Sequence, residues 1–493
     1  MFSFRLLIPF AVIAWLVYKS RSKPVYFTLI PWVVGIGRGL FLELTPATVL
    51  FQGGNYAITV QDLLFGLVLM VWVYSYRGRK IKSRFFSHPG SWIVSLWIMF
   101  LFWEFLVNIM DPSMQLKPGL VIDARTWFYF PFSLMLWVDT YQRYSREEFL
   151  EALGVLSLLV AGCSLLFILD IVAGVDIYPN TGFYDQAGGV ALYRDYINIA
   201  SFWLGLVFLY FLLVPRSRLI YIGGLAIIAL ANILTYTRSR LIMLVSVVAL
   251  AAIFLLAKNL LVAIYKKNGF PAADFQRAHP PAGKARIIPR SNLVVFLLGG
   301  LPALGLLALA VFPMILPAQW SFVLARFGQS MLPTETDSQT SLSVRWLYFM
   351  NAWRDGAVYN EWFGNGLILH NARTGWWSFD SDWIHIVYHF GVAGVIVFAL
   401  PLLWAAWKSM SAFFAQRDPV AERLALLLLL LNITGIISRF TGIVYLWWFP
   451  LSTLPIALTI IESGRLWRSA RETVAVSPRL APNASAVPGQ GHD

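Results

Sequence analysis

The sequence predicts an all-α polytopic membrane protein of about 12–13 transmembrane helices with one large loop on the outer side. Three observations carry this. The 493 residues are 58% hydrophobic and 13% charged, with a mean hydropathy of +0.67, too apolar for a soluble globular chain. Apolar runs of about 20 residues recur along the chain, the length a helix needs to cross a bilayer core of about 30 Å. Backbone groups in lipid must be satisfied within their own segment, so the spans are expected to be helices.

In order, the candidate spans are 4–18, 25–42, 56–76, 91–110, 120–138, 150–173, 196–214, 219–236, 240–262, 291–316, 382–407, 421–438 and 442–461. The first is short, so 12 spans plus a partial helix is the alternative count. No cleavable leader is expected, because Phe4–Tyr18 runs into Lys19, Arg21 and Lys23 without a small-residue cleavage site. Cys163, the single cysteine, lies in an apolar run and reads as packing.

The net charge of +13 is explained by topology, which removes the argument for a nucleic-acid partner. Residues 77–84 hold five basic and no acidic side chains. The segment 258–290 holds seven basic residues, Lys258 first among them, against Asp274 alone. Arg216, Arg218, Lys408, Arg417, Arg423, Arg465, Arg468 and Arg471 fall on the same side if spans alternate, whereas 43–55 has no Lys or Arg. With positive charge inside, the C-terminus is expected in the cytoplasm and the N-terminus outside. The organisation expected is a helix bundle over 1–317 with a basic linker at 258–290, flexible over 268–290, an outer loop at 318–381, further spans within 382–464, and a disordered tail at 465–493.

The outer loop is where the chemistry concentrates. It carries six Trp and four Arg but no Lys, and it is far longer than a connection between spans requires. Leu342, Trp346, Phe349 and Trp353 recur at helical spacing, predicting an amphipathic helix begun by Thr340 or Ser341 and stopped at Gly356. It reads either as a structural lid or as the carrier of Arg345 toward an anion. Arg238 and Arg240 sit at an outward turn between two spans, with Arg194 in the same layer. Arginines at that depth either anchor in headgroups or grip an anion, and guanidinium forks suit pyrophosphate. For acid–base work the candidates are His370, Asp380, Asp382, His385 and His389. Asp382, His385 and His389 share one helical face, a spacing that could also suit a metal, although no His-Glu-x-x-His or paired-carboxylate pattern accompanies it. Asp62, Glu104, Asp123, Arg125 and Asp170, within or at the ends of spans, could form ion pairs or a transport path.

Three stretches resemble the superfamily of O-antigen ligases and O-antigen (exopolysaccharide) polymerases, polytopic membrane glycosyltransferases of class C type. Thr237-Arg238-Ser239-Arg240 resembles the family's Ser-Arg segment opening a span. Ser341 to Arg345, Ala352 and Gly364-Asn365-Gly366 resemble its Ser-x-x-x-Arg…Ala…Gly-x-Gly run. Asp382 through Gly391 to Gly394 resembles its closing motif. The resemblance implies an undecaprenyl-pyrophosphate-linked oligosaccharide as donor at the periplasmic face of a bacterial inner membrane. It also implies an inverting transfer needing no cofactor or metal, membrane lipid as surroundings, and a flippase and a chain-length regulator as fellow assembly proteins. Arg194, Arg238, Arg240 and Arg345 would hold the pyrophosphate. Ser381-Asp382 replaces the family's His-Asn, so His370, Asp382 and His385 all stand open for the catalytic base. Polymerase and ligase share this donor chemistry. A transporter or flippase is the rival of another class, and it would show Gly- or Pro-broken helices and polar groups across the midplane.

Overall fold

The computed structural model describes residues 4–23, 25–26, 49–53, 56–59, 62–63, 66–67, 69–70, 90–110, 127–128, 131–139, 146–173, 182–187, 190–194, 218–234, 238–267, 299–300, 314, 350–351, 354, 360–367, 381–416, 418–441 and 456–462. Helices carry the architecture: α1 (Phe4–Ser20), α2 (Ser91–Met110), α3 (Arg146–Ala173), α4 (Arg218–Leu234), α5 (Arg238–Lys267), α6 (Asp382–Ala415) and α7 (Pro419–Thr441). Five of them, α2, α3, α5, α6 and α7, contain segments long and apolar enough to cross a membrane. The chain is therefore a multi-pass, helical membrane protein.

The expected span 91–110 coincides with α2, and the spans begun at 150, 219, 240, 382 and 421 lie on α3 to α7. The expected spans 25–42, 196–214 and 291–316 lie largely outside the described residues, as do most of the amphipathic segment and the whole tail after residue 462. Two small antiparallel hairpins interrupt the helical pattern: β1 (Val49–Gly53) with β2 (Tyr56–Thr59), and β3 (Gly182–Ala187) with β4 (Val190–Arg194). Tyr56–Thr59 is thus strand where the third span was expected to begin. The reason lies in the turns. Gly54-Asn55 separates the paired ends Gly53 and Tyr56, and Gly188-Gly189 separates Ala187 and Val190, both two-residue connections that favour hairpins.

Packing runs from α2 to α6, from α6 to α7, from α7 to α5, and on through α4 to α3. The Leu424–Leu431 run of α7 is buried on every side, which marks α7 as an interior helix rather than a lipid-facing one. In α2, Val94, Trp97, Leu101, Glu104 and Asn108 form the inward stripe, while Met99, Trp103, Leu106 and Met110 face outward. Contacts fix its direction against α6. Gly90 lies under Trp404, Trp97 meets Phe398 with ring centroids 4.6 Å apart, and Phe100 meets Phe390 at 5.8 Å, so the two helices run antiparallel.

The basic residues at one end of this bundle differ from the loop charges expected. Lys258 belongs to α5, which continues to Lys267 through the first residues of the expected linker, and only 3% of its side chain is exposed. Its ammonium meets Glu422 Oε2 at 3.0 Å and donates to the carbonyls of Phe413 (2.5 Å) and Gln416 (2.8 Å). Arg423, next to Glu422 in sequence, is also buried in the first turns of α7. The C-terminus of α6 and the N-terminus of α7 thus meet α5 at Lys258. From Arg238 to Lys258 α5 rises about 30 Å, which puts the arginine-bearing start of α5 at the opposite end of the bundle.

Candidate functional site at a broken helix

That opposite end holds the start of α6, and α6 is not continuous. Gly391 has φ 59° and ψ −156°, a conformation open in practice to glycine alone, and it divides the helix into 382–390 and 392–415. A break inside a membrane domain exposes carbonyls of the first half and amides of the second, and both need partners. The turn at 360–366 supplies them. Val392 N–H donates to Glu361 O and Ala393 N–H to Trp362 O, both at 3.0 Å. In the other direction Asn365 N–H donates to Tyr388 O at 3.0 Å and Gly366 N–H to His389 O at 2.7 Å. Four main-chain bonds lock the two segments into each other.

The lock requires close approach, which explains the glycines. A Cβ on Gly391 would lie 2.5 Å from Glu361 O, and one on Gly364 would lie 2.5 Å from the His389 carbonyl. Gly364 and Gly366 also adopt positive φ, 70° and 86°. Asn360 shapes the turn: its Oδ1 accepts from Trp362 N–H (2.8 Å) and Phe363 N–H (3.1 Å), while its carbonyl accepts from Gly364 N–H (2.6 Å).

His385 and His389 lie one turn apart in the first half-helix, and their rings stack with centroids 5.6 Å apart and planes within 6°. Both are enclosed, at 3% and 1% exposure. His389 Nδ1 is 2.9 Å from Gly366 O. A carbonyl only accepts, so Nδ1 carries the hydrogen and Nε2 is the nitrogen left to bind or release a proton. Trp127 closes one side of this imidazole, 5.7 Å away between centroids, and Tyr388 another at 5.3 Å. Ser381 takes the N-cap position of α6, but its hydroxyl donates to Arg439 O at 3.2 Å, tying the head of α6 to the tail of α7. Arg439 is fully buried there and donates to Gly435 O.

Of the site residues expected from sequence, Asp382 is the first residue of α6 and His385 lies in its first turns. Arg238 and Arg240 open α5 at the same end of the bundle, in the first helical turn rather than in a turn between spans. Arg194 closes β4, paired in register with Gly182. Arg345 and His370 lie outside the described residues. Glu104, Asn108, Trp127 and Arg439 are additions that the sequence did not single out as a group. Asn108 touches Gly366 closely enough to exclude any side chain at that position. Glu104 lies one turn further along the same stripe of α2, at 2% exposure. Among the described residues, no group of three or more His, Cys, Asp or Glu side chains is arranged to hold a metal ion.

No family model, curated protein or solved structure matches this chain.

Proposed function

We propose that the protein is a polymerase joining polyprenyl-pyrophosphate-linked oligosaccharide repeat units into a surface polysaccharide at the periplasmic face of a bacterial inner membrane. The observation that supports it most is the placement, at the same end of the bundle, of the helix start bearing Arg238 and Arg240 and the half-helix bearing Asp382, His385 and His389. Fixed cations stabilise a leaving pyrophosphate, and a carboxylate or imidazole takes a proton. In the step proposed, an acceptor hydroxyl attacks the anomeric carbon of the donor. Its proton passes to the base, the bond from that carbon to the pyrophosphate oxygen breaks, and the lipid pyrophosphate leaves against the arginines. A single displacement of this kind inverts the anomeric centre. Arg194 and Arg345 complete the proposed anion site, and Asp382, His385 and His370 remain the candidates for the base.

A second reading has an observation of its own. The break at Gly391 is the kind of discontinuous helix that transporters place at their substrate sites, which favours a polysaccharide transporter or flippase. One experiment separates the readings. Purified protein in liposomes is given an undecaprenyl-pyrophosphate oligosaccharide. A ladder of product lengths supports the polymerase, and transfer to added lipid A-core alone supports the ligase alternative. Movement of unextended donor across the bilayer supports the transporter.

A further inference from the structure

We propose that Glu104 is a proton-exchange site inside the membrane domain, trading a proton with the His385–His389 pair through a water molecule held by Asn108 and Trp127. The inference goes beyond the glycosyl-transfer reading and does not depend on it. Glu104 Oε1, Asn108 Oδ1 and Trp127 Nε1 are buried here without a hydrogen-bond partner among the described residues. Such atoms are costly in a protein interior, and a buried water with two to four polar partners is the ordinary remedy. The set is complementary, because the indole donates to the water oxygen while the carboxyl and the carboxamide accept its two hydrogens.

The placement brings them together. Glu104 and Asn108 are one turn apart on the stripe of α2 that faces α6, and Asn108 Nδ2 donates to Glu104 O at 2.6 Å. Trp127 stands between the two helices: its ring meets His389, Phe390 and Phe398, while its neighbour Phe128 meets Phe102 and Phe105, which flank Glu104. Asn108 abuts Gly366, whose carbonyl holds His389 Nδ1. A polar run therefore leads from Glu104, in the second half of α2, to the head of α6. Exchange is a single proton transfer. The imidazolium loses H⁺ from Nε2, the water relays it, and the carboxylate becomes a neutral carboxylic acid. The described titratable groups around Glu104 are His385, Tyr388 and His389 on α6, with Glu361 exposed in the docked turn and Arg439 behind Ser381; α2 adds no other, and the segment 127–128 adds none.

Infrared difference spectroscopy of the full-length protein across a pH titration tests this. A carboxyl C=O band that titrates, shifts in D₂O and vanishes in Glu104→Gln is expected. Its midpoint should move by about one pH unit or more in His389→Gln, as for coupled sites. Trp127→Phe removes only the indole donor and should shift the band's frequency, so it carries the test if Glu104→Gln does not fold. A spectrum without a titrating Glu104 band, or a band indifferent to both His389→Gln and Trp127→Phe, overturns the proposal.

Discussion

The two ends of the α5–α6–α7 bundle handle buried polarity in opposite ways. At the lysine end the buried ammonium is fully paired. The three N–H donors of Lys258 go to Glu422, Phe413 O and Gln416 O, and the ammonium also lies 4.7 Å from the Phe413 ring. Asp418 Oδ2 accepts from Ala421 N–H at 2.8 Å and caps α7. The cation there also sits against the carbonyl end of α6, where the helix dipole favours it. At the histidine end the helix is broken, another segment fills the break, and Glu104, Asn108 and Trp127 keep polar atoms without partners among the described residues. A buried charge whose every bond is satisfied is a fastening. A buried polar group left open invites a ligand, a water or a proton, and evolution has no structural reason to place one there.

Substitutions should separate the ends. The largest loss of stability is expected from Lys258→Met, which strands the Glu422 carboxylate and uncaps two carbonyls, at about 3–5 kcal/mol. Thermal unfolding in detergent measures it, and adding Glu422→Leu should restore much of the loss. If the double variant is no better than the single one, the pair is not the fastening described. Gly391→Ala comes next. Its Cβ meets Glu361 O and its φ is unfavourable for any other residue, at about 1–3 kcal/mol for the backbone alone. Here the readout is local: limited proteolysis should open the 360–367 turn while the lysine end keeps its protection. Unchanged cleavage would mean that the turn is not held by the break. Asn360→Ala should have the smallest effect, about 1 kcal/mol, as for loss of a capping side chain, with faster hydrogen exchange at Trp362 and Phe363.

How much of this could be read from the sequence depends on the range of the contacts. The limits of α2 were legible because Ser91–Met110 is a single uninterrupted apolar run. Gly391 sits in an equally apolar run, and nothing local distinguishes it from a tolerated helix glycine. The carbonyls that satisfy its break come from Glu361 and Trp362, in a turn well upstream of α6. The Gly364-Asn365-Gly366 turn was visible, but what it docks into was not. Lys258 read as a loop charge for a similar reason, since its partner Glu422 lies on a helix far along the chain. The face shared by His385 and His389 was legible from i, i+4 spacing, and the rings do stack. Glu104 was visible as a lone acid, but its significance comes from Asn108 and Trp127. That grouping exists only once α2 packs on α6. At Tyr56–Thr59 the apolar run outweighed the Gly-Gly-Asn turn signal, and the hairpin went unread.

The proposal that the histidine end is the chemical end is tested most directly by one rate. Chain extension of an undecaprenyl-pyrophosphate oligosaccharide is measured per folded molecule for the unaltered protein and for Arg238→Ala. The account predicts a fall of about 10²–10³-fold with unfolding unchanged, the size expected for losing one donor to a developing anion. Equal rates would contradict it.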